Sequence, residues 1–230
     1  MIKEFTIDIN EDQLTNIKSK IEHYPWPSIE NMEEWTYGTN KKYLKELCDY
    51  WLKEFSWKKH EQLINSFKNY KTNVDGIDIH FIKEEGSGEN PKTLLLLHGW
   101  PGSVVEFLEI IKPLAHPEEF GGNINDAFTV IAPSLPGFGF SSAPKKPIGP
   151  RKIAEILNKM MVENLDYNQY LAQGGDWGAT ITKWIAELFP DNCIAIHLNL
   201  VLAFPGEGDD PMEGVTPEAV SYTHLRAHET

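Results

Sequence analysis

From Lys92 onward, short apolar runs alternate with helical patterns, and that alternation leaves few folds open to the chain. TLLLL is a short buried strand, and HGWPGS is a loop opening a helix that runs towards Leu114. AFTVIAPSLPGFGFSSAP is a strand that breaks into a Pro/Gly loop. Residues 151–164 place apolar side chains at helical spacing. YLAQ is again a strand, ATITKWIAELF a helix stopped by Pro190, and CIAIHLNL a further strand. Strands separated by helices of about 10 to 15 residues connect in parallel, because the crossover helix has to return the chain to the same end of the sheet. The expected class is α/β: a mostly parallel sheet covered by helices on both faces.

The preceding 70 residues or so read as helical and aromatic-rich. Leu14, Ile17 and Ile21 fall three and four apart, and Tyr43, Leu47, Trp51 and Phe55 recur every four, so each set makes one helix face. Such stripes are expected to pack in the core. Between them YPWPSIENMEEWTYG carries two prolines and a glycine, which forbid a long helix. Ile77, Ile79 and Phe81 then alternate with Asp78 and His80 at the period of a strand, and EEGSGENPK follows as an exposed turn.

With 34 acidic against 21 basic residues the net charge is −13, which repels nucleic acid and anionic membrane surfaces alike. Cys48 and Cys193 stand far apart without metal-ligand spacing, so neither a disulfide framework nor a thiolate metal site is expected. The longest aliphatic run, LLLL, is far too short to span a bilayer, and MIKEFTIDINEDQ has no signal-peptide pattern. The expectation is a cytoplasmic protein with no membrane anchor and no organic or metal cofactor.

Chemistry enters at GGDWG. Gly174, Asp176 and Gly178 form a small-x-acid-x-small pattern between a strand and a helix. A sharp strand-to-helix turn exposes its central side chain above the sheet and tolerates only small neighbours. The helix N-terminus behind it favours an anion. A serine at such a turn needs a base before it can attack, whereas free aspartate, with a pKa of about 3.9, is ionised at neutral pH. A carboxylate nucleophile suits an sp³ carbon bearing a leaving group and yields an alkyl ester. The competing role is a helix N-cap, for which Asp is a preferred residue.

HGWP follows the strand TLLLL, where α/β-hydrolases build half of their oxyanion hole. The backbone N–H groups of Trp100 and Trp177 are placed to hold an oxyanion during ester hydrolysis. Trp100, Pro101, Trp177 and Phe138, with Phe140 close by, are the expected substrate wall. His98 is read as fixing its loop by hydrogen bonding, and His80 and His197 as structural. GFGFS, residues 137–141, lacks the spacing of a dinucleotide-binding loop.

Together these segments resemble the α/β-hydrolase epoxide hydrolases of the microsomal and juvenile-hormone type. The resemblance covers residues 5–203, through YPWP, WTYGTNKKYLKELCDYW, VDGIDIHFI, HGWPGSVVEF, PSLPGFGFSSAP, GGDWG and HLNL. It implies an α/β-hydrolase fold in which Asp176 attacks an epoxide carbon and water then hydrolyses the ester to a vicinal diol. The partners implied are a small apolar epoxide and water, with homo-oligomerisation left open. Detoxification of xenobiotics or catabolism of aromatic hydrocarbons is the expected setting.

The resemblance also implies groups beyond HLNLVLAF: two cap-domain tyrosines that bind the epoxide oxygen, and a late acid–His pair that activates water. The chain is therefore expected to be an inactive fragment. It divides into an epoxide hydrolase N-terminal region (1–92), the first half of the hydrolase core (93–204), the entry to a cap (205–219) and a non-native tail (220–230). A transposase-end adapter used in DNA sequencing encodes residues 220–229 in frame. His224 and His228, spaced like helix-borne zinc ligands, are set aside on that ground. Two alternatives stay open. A haloalkane dehalogenase also uses an elbow aspartate, but usually has asparagine where this chain has Trp100. A non-catalytic binding module on the same scaffold is the other.

Overall fold

A computed structural model describes residues 1–28, 35–36, 38–202, 214 and 216. Part of the Pro/Gly stretch, nearly all of the expected cap entry, and the tail at 220–230 lie outside the described residues.

The first strand, β1, is Ile2–Glu4. Three helices follow: α1 Glu11–Glu22, α2 Lys41–Lys53 and α3 Trp57–Asn65. Next come β2 Asn69–Val74, β3 Ile77–Glu84 and β4 Lys92–Leu97, then α4 Leu108–Ala115 and β5 Phe128–Pro133. The chain continues through α5 Pro150–Lys159, β6 Tyr170–Gly174, α6 Trp177–Leu188 and β7 Cys193–Leu198. Among the described residues one seven-stranded sheet runs in the order β1-β2-β3-β5-β4-β6-β7. β5, β4, β6 and β7 pair in parallel, as the strand–helix alternation requires, while β1, β2 and β3 join antiparallel.

The two faces explain why β4 reads as an unbroken apolar run. Successive strand side chains point to opposite faces, so a strand covered on both sides has no polar position to offer. Leu95 and Leu97 enter a cluster with Ile79, Ile131, Leu157, Ile181 and Ile185 on the side of α5 and α6. Leu96 faces the opposite side, with Ile7, Ile64, Ile82 and Ile111. A side chain of this size contributes about 1.5 to 3 kcal/mol on full burial, so the two clusters bind the helices to the sheet.

Two expectations need correction. The first 70 residues or so are not simply helical, since they supply β1 and the start of β2, while β3 stands where the strand alternation was expected. β1 has three residues, too few to show a period, and β2 buries Asn69 and Thr72 rather than an alternating apolar set. Asn69 donates through its amide nitrogen to the carbonyls of Ile64 and Phe67, which turns its oxygen towards His80. His80 Nε2–H therefore donates to Asn69 Oδ1, and Nδ1 accepts from the Ser134 hydroxyl, each at 2.9 Å. Burial pushes the His80 pKa down to about 3, so this fully buried ring stays neutral.

The apolar stripes of α1 and α2 are also not core. Neither helix buries a residue, and Tyr43, Leu47 and Trp51 remain 50%, 46% and 44% exposed. The helical spacing was read correctly, but helical spacing reports a face and not what covers it.

Candidate active site

The site forms where the C-terminal ends of β4 and β6 meet, the end at which open α/β sheets gather ligands. β6 ends at Gly174 and α6 begins at Trp177, leaving two residues to reverse the chain. Asp176 takes φ 51° and ψ −124°, a left-handed conformation that side chains rarely adopt and that costs about 1 to 3 kcal/mol. Close backbone approach accounts for the small residues on either side. A Cβ on Gly174 would meet the carbonyl of Gly178, and one on Gly178 would overlap the carbonyl of Leu97.

The carboxylate does not cap its own helix, since no side-chain cap hydrogen bond forms at α6. It reaches instead across to the loop after β4, where the backbone N–H of Trp100 donates to Asp176 Oδ1 at 2.7 Å. That observation counts against the N-cap role, because an N-cap would spend its oxygen on the first turn of α6. No hydrogen bond engages Oδ2 among the described residues. Trp177 is the first residue of α6, so its N–H has no carbonyl one turn back within the helix.

A cavity of about 290 Å³ opens over this carboxylate, lined by Trp100, Pro101, Glu106, Asp176, Asn199 and Leu200 among others. The Trp100–Pro101 peptide bond is cis. The structure thus brings Asp176, Trp100 and Pro101 together. Trp177 adjoins Asp176 in the chain but does not line the cavity, and its side chain is half exposed. Phe138 is not in the cavity lining; its ring packs edge-on against His98 at 5.5 Å. Phe140 lies further off, against His80 and Phe5 and in a groove of about 620 Å³ beside α1 that shares no residue with the Asp176 cavity.

Glu106, Asn199 and Leu200 were not foreseen. Asn199 and Leu200 follow directly on β7, and the position just past a parallel strand was the signal that could have found them. Glu106 lies in the 3₁₀ turn Val104–Phe107, and nothing in the sequence marks it.

Comparison with known proteins fits this geometry. Residues 2–107 match the epoxide hydrolase N terminus, and residues 92–213 match the alpha/beta hydrolase fold. The chain belongs to the α/β-hydrolase family. It is 42% identical over 205 residues to a Stigmatella aurantiaca protein provisionally named epoxide hydrolase, covering 89% of this chain and 46% of that one. Epoxide hydrolase 1 of Oryctolagus cuniculus is 38% identical over 207 residues, covering 87% and 45%. The crystal structure of juvenile hormone epoxide hydrolase from Bombyx mori superposes with a TM-score of 0.77 at 36% identity, covering 87% of this chain and 53% of that chain. The chain therefore spans about half the length of the curated relatives it matches. No helix among the described residues is long and apolar enough to cross a membrane.

Proposed function

We propose that the whole protein hydrolyses epoxides to vicinal diols through an ester on Asp176. The observation that carries this reading is the single hydrogen bond from Trp100 N–H to Oδ1, which gives the two carboxylate oxygens different tasks. Oδ2 attacks an epoxide carbon, the carbon–oxygen bond of the ring breaks, and the opened oxygen takes a proton. Oδ1 becomes the carbonyl oxygen of the ester. Water then adds to Asp176 Cγ, negative charge develops on Oδ1, and the N–H already aimed there stabilises it. Collapse releases the diol and regenerates the carboxylate. The proton donor for the ring oxygen and the base for water belong, in this proposal, to the length of the relatives that this chain does not span.

Trp100 stands 67% exposed at the cavity rim, and with Pro101 and Leu200 it offers an apolar side to the carboxylate that suits a small aryl or alkyl epoxide. Consumption of aromatic or xenobiotic epoxides in the cytoplasm is part of the same proposal; the acidic charge balance supports it by disfavouring an anionic membrane surface. The discriminating experiment offers the whole protein styrene oxide and a bromoalkane of similar size. Diol formation with negligible halide release is expected, and comparable halide release would favour a dehalogenase.

A further inference from the structure

The peptide unit joining Gly99 to Trp100 is held at both ends. Its N–H donates to Asp176 Oδ1 at 2.7 Å, and its carbonyl lies 3.0 Å from His98 Nδ1. The other ring nitrogen fixes the tautomer. Leu135 N–H donates to His98 Nε2 at 3.1 Å, and a backbone N–H has no lone pair to accept with, so Nε2 is the bare nitrogen. Nδ1 therefore carries the proton and donates to the Gly99 carbonyl. The ring itself is immobilised: His98 is buried and the edge of Phe138 packs on it. Burial also pushes its pKa down, which keeps the ring in this neutral form.

A trans peptide is planar, with its C=O and N–H pointing in opposite directions, so fixing one fixes the other. Gly99 makes such fixing necessary. A Cβ there would overlap the Asp176 carboxylate, so the position requires glycine. Glycine, however, lets the following peptide turn more freely than any other residue does.

We infer that His98 is a positioning residue whose Nδ1–H sets the direction of the Trp100 N–H towards Asp176, a role separate from the structural anchor its Nε2 gives Leu135. In chemical terms this rests on the reading of Asp176 as nucleophile; in geometric terms it does not. The two functions of the ring can be divided between two substitutions. His98→Asn places an amide nitrogen where Nδ1 stands, able to donate to the Gly99 carbonyl, but is too short to accept from Leu135. His98→Gln reaches the Nε2 position and can accept from Leu135 but leaves the Gly99 carbonyl unpaired. His98→Leu removes both.

The experiment follows all three variants of the whole protein with two readouts. The first is the backbone amide proton resonance of Trp100 in nitrogen-labelled protein. A short hydrogen bond to a carboxylate holds it far downfield in the parent. His98→Asn should retain that position, while His98→Gln and His98→Leu should lose it. The second is single-turnover hydrolysis of styrene oxide. Relative to the parent, Gln and Leu should slow ester hydrolysis at least about tenfold, in the range of losing part of an oxyanion donor. KM should stay within about twofold in all three, and Asn should recover most of the rate. Thermal stability should follow the opposite order, with Gln above Asn. A Trp100 resonance that ignores all three substitutions, or rates that rank with stability, would overturn the inference. A parent protein that forms no ester would sink the proposed function alone, because the resonance still decides the role of His98.

Discussion

Trp100 and Asp176 stand 76 positions apart in the chain, yet the backbone N–H of one donates to the carboxylate of the other at 2.7 Å. The bond joins the loops after β4 and β6, which pair in parallel with Leu97 beside Gly174. It leaves the carboxylate positioned by backbone rather than by any flexible side chain. Asp176→Asn can keep this bond through its amide oxygen while losing the anionic nucleophile. Diol formation by the whole protein should fall at least about a thousandfold with the unfolding midpoint little changed, the signature of a lost reacting group rather than a lost fold. A variant retaining a tenth of the parent rate, measured as diol per enzyme, would remove Asp176 from the chemistry.

The elbow conformation predicts an inverted stability order. At an ordinary helical or strand position glycine is less stable than alanine by about 0.5 to 1 kcal/mol. At φ 51° and ψ −124° alanine carries the same Cβ strain as aspartate, of about 1 to 3 kcal/mol, and glycine carries none. Asp176→Gly should therefore be more stable than Asp176→Ala by about 1 kcal/mol, after subtracting the entropic cost of glycine. Urea unfolding of the two variants tests this, and the ordinary order would mean that the elbow is relaxed.

A third prediction concerns acid. The pKa of His80 falls from 6.5 in the unfolded chain to about 3 in the fold. Between these values the unfolded state binds a proton that the native state refuses. The contribution of His80 is thus complete above about pH 6.5 and is lost as pH falls, at about 1.4 kcal/mol per pH unit. His80→Gln should be less stable at pH 7, yet its stability should fall less steeply between about pH 6 and pH 4. Carboxylates common to both proteins contribute equally and cancel in the comparison of slopes. Parallel slopes would mean that His80 is protonated or solvated in the native state.

What could be read beforehand follows from what local patterns encode. TLLLL announced β4 because a strand buried on both faces has no polar position to spare, and GGDWG announced the elbow because strain and crowding restrict its neighbours. β2 was illegible because its inward Asn69 and Thr72 break the apolar alternation, and partners such as His80 and Asn164 are not announced by any local pattern. The stripe of Tyr43, Leu47 and Trp51 gave the correct helix but not its exposure, since a periodic pattern carries no information about the surface opposite. Around Asp176, the motif residues Trp100 and Pro101 were legible. The aromatic character of Phe138 and Phe140 suggested a substrate wall, but Phe138 supports His98 and Phe140 lies beside His80. Glu106 reaches the cavity only through the path of the loop after β4, which no spacing rule foretells.

The central claim is that Asp176 becomes covalently joined to the substrate. A single turnover of styrene oxide in heavy-oxygen water, with the whole protein in excess, tests it directly. Ester formation through Oδ2 transfers a carboxylate oxygen to the product, and water attacking Cγ restores the carboxylate with its own oxygen. The first diol released should therefore carry no label, and the peptide containing Asp176 should gain one heavy oxygen, both read by mass spectrometry. Label in that first diol with an unlabelled Asp176 peptide would show water attacking the epoxide directly and would contradict the account.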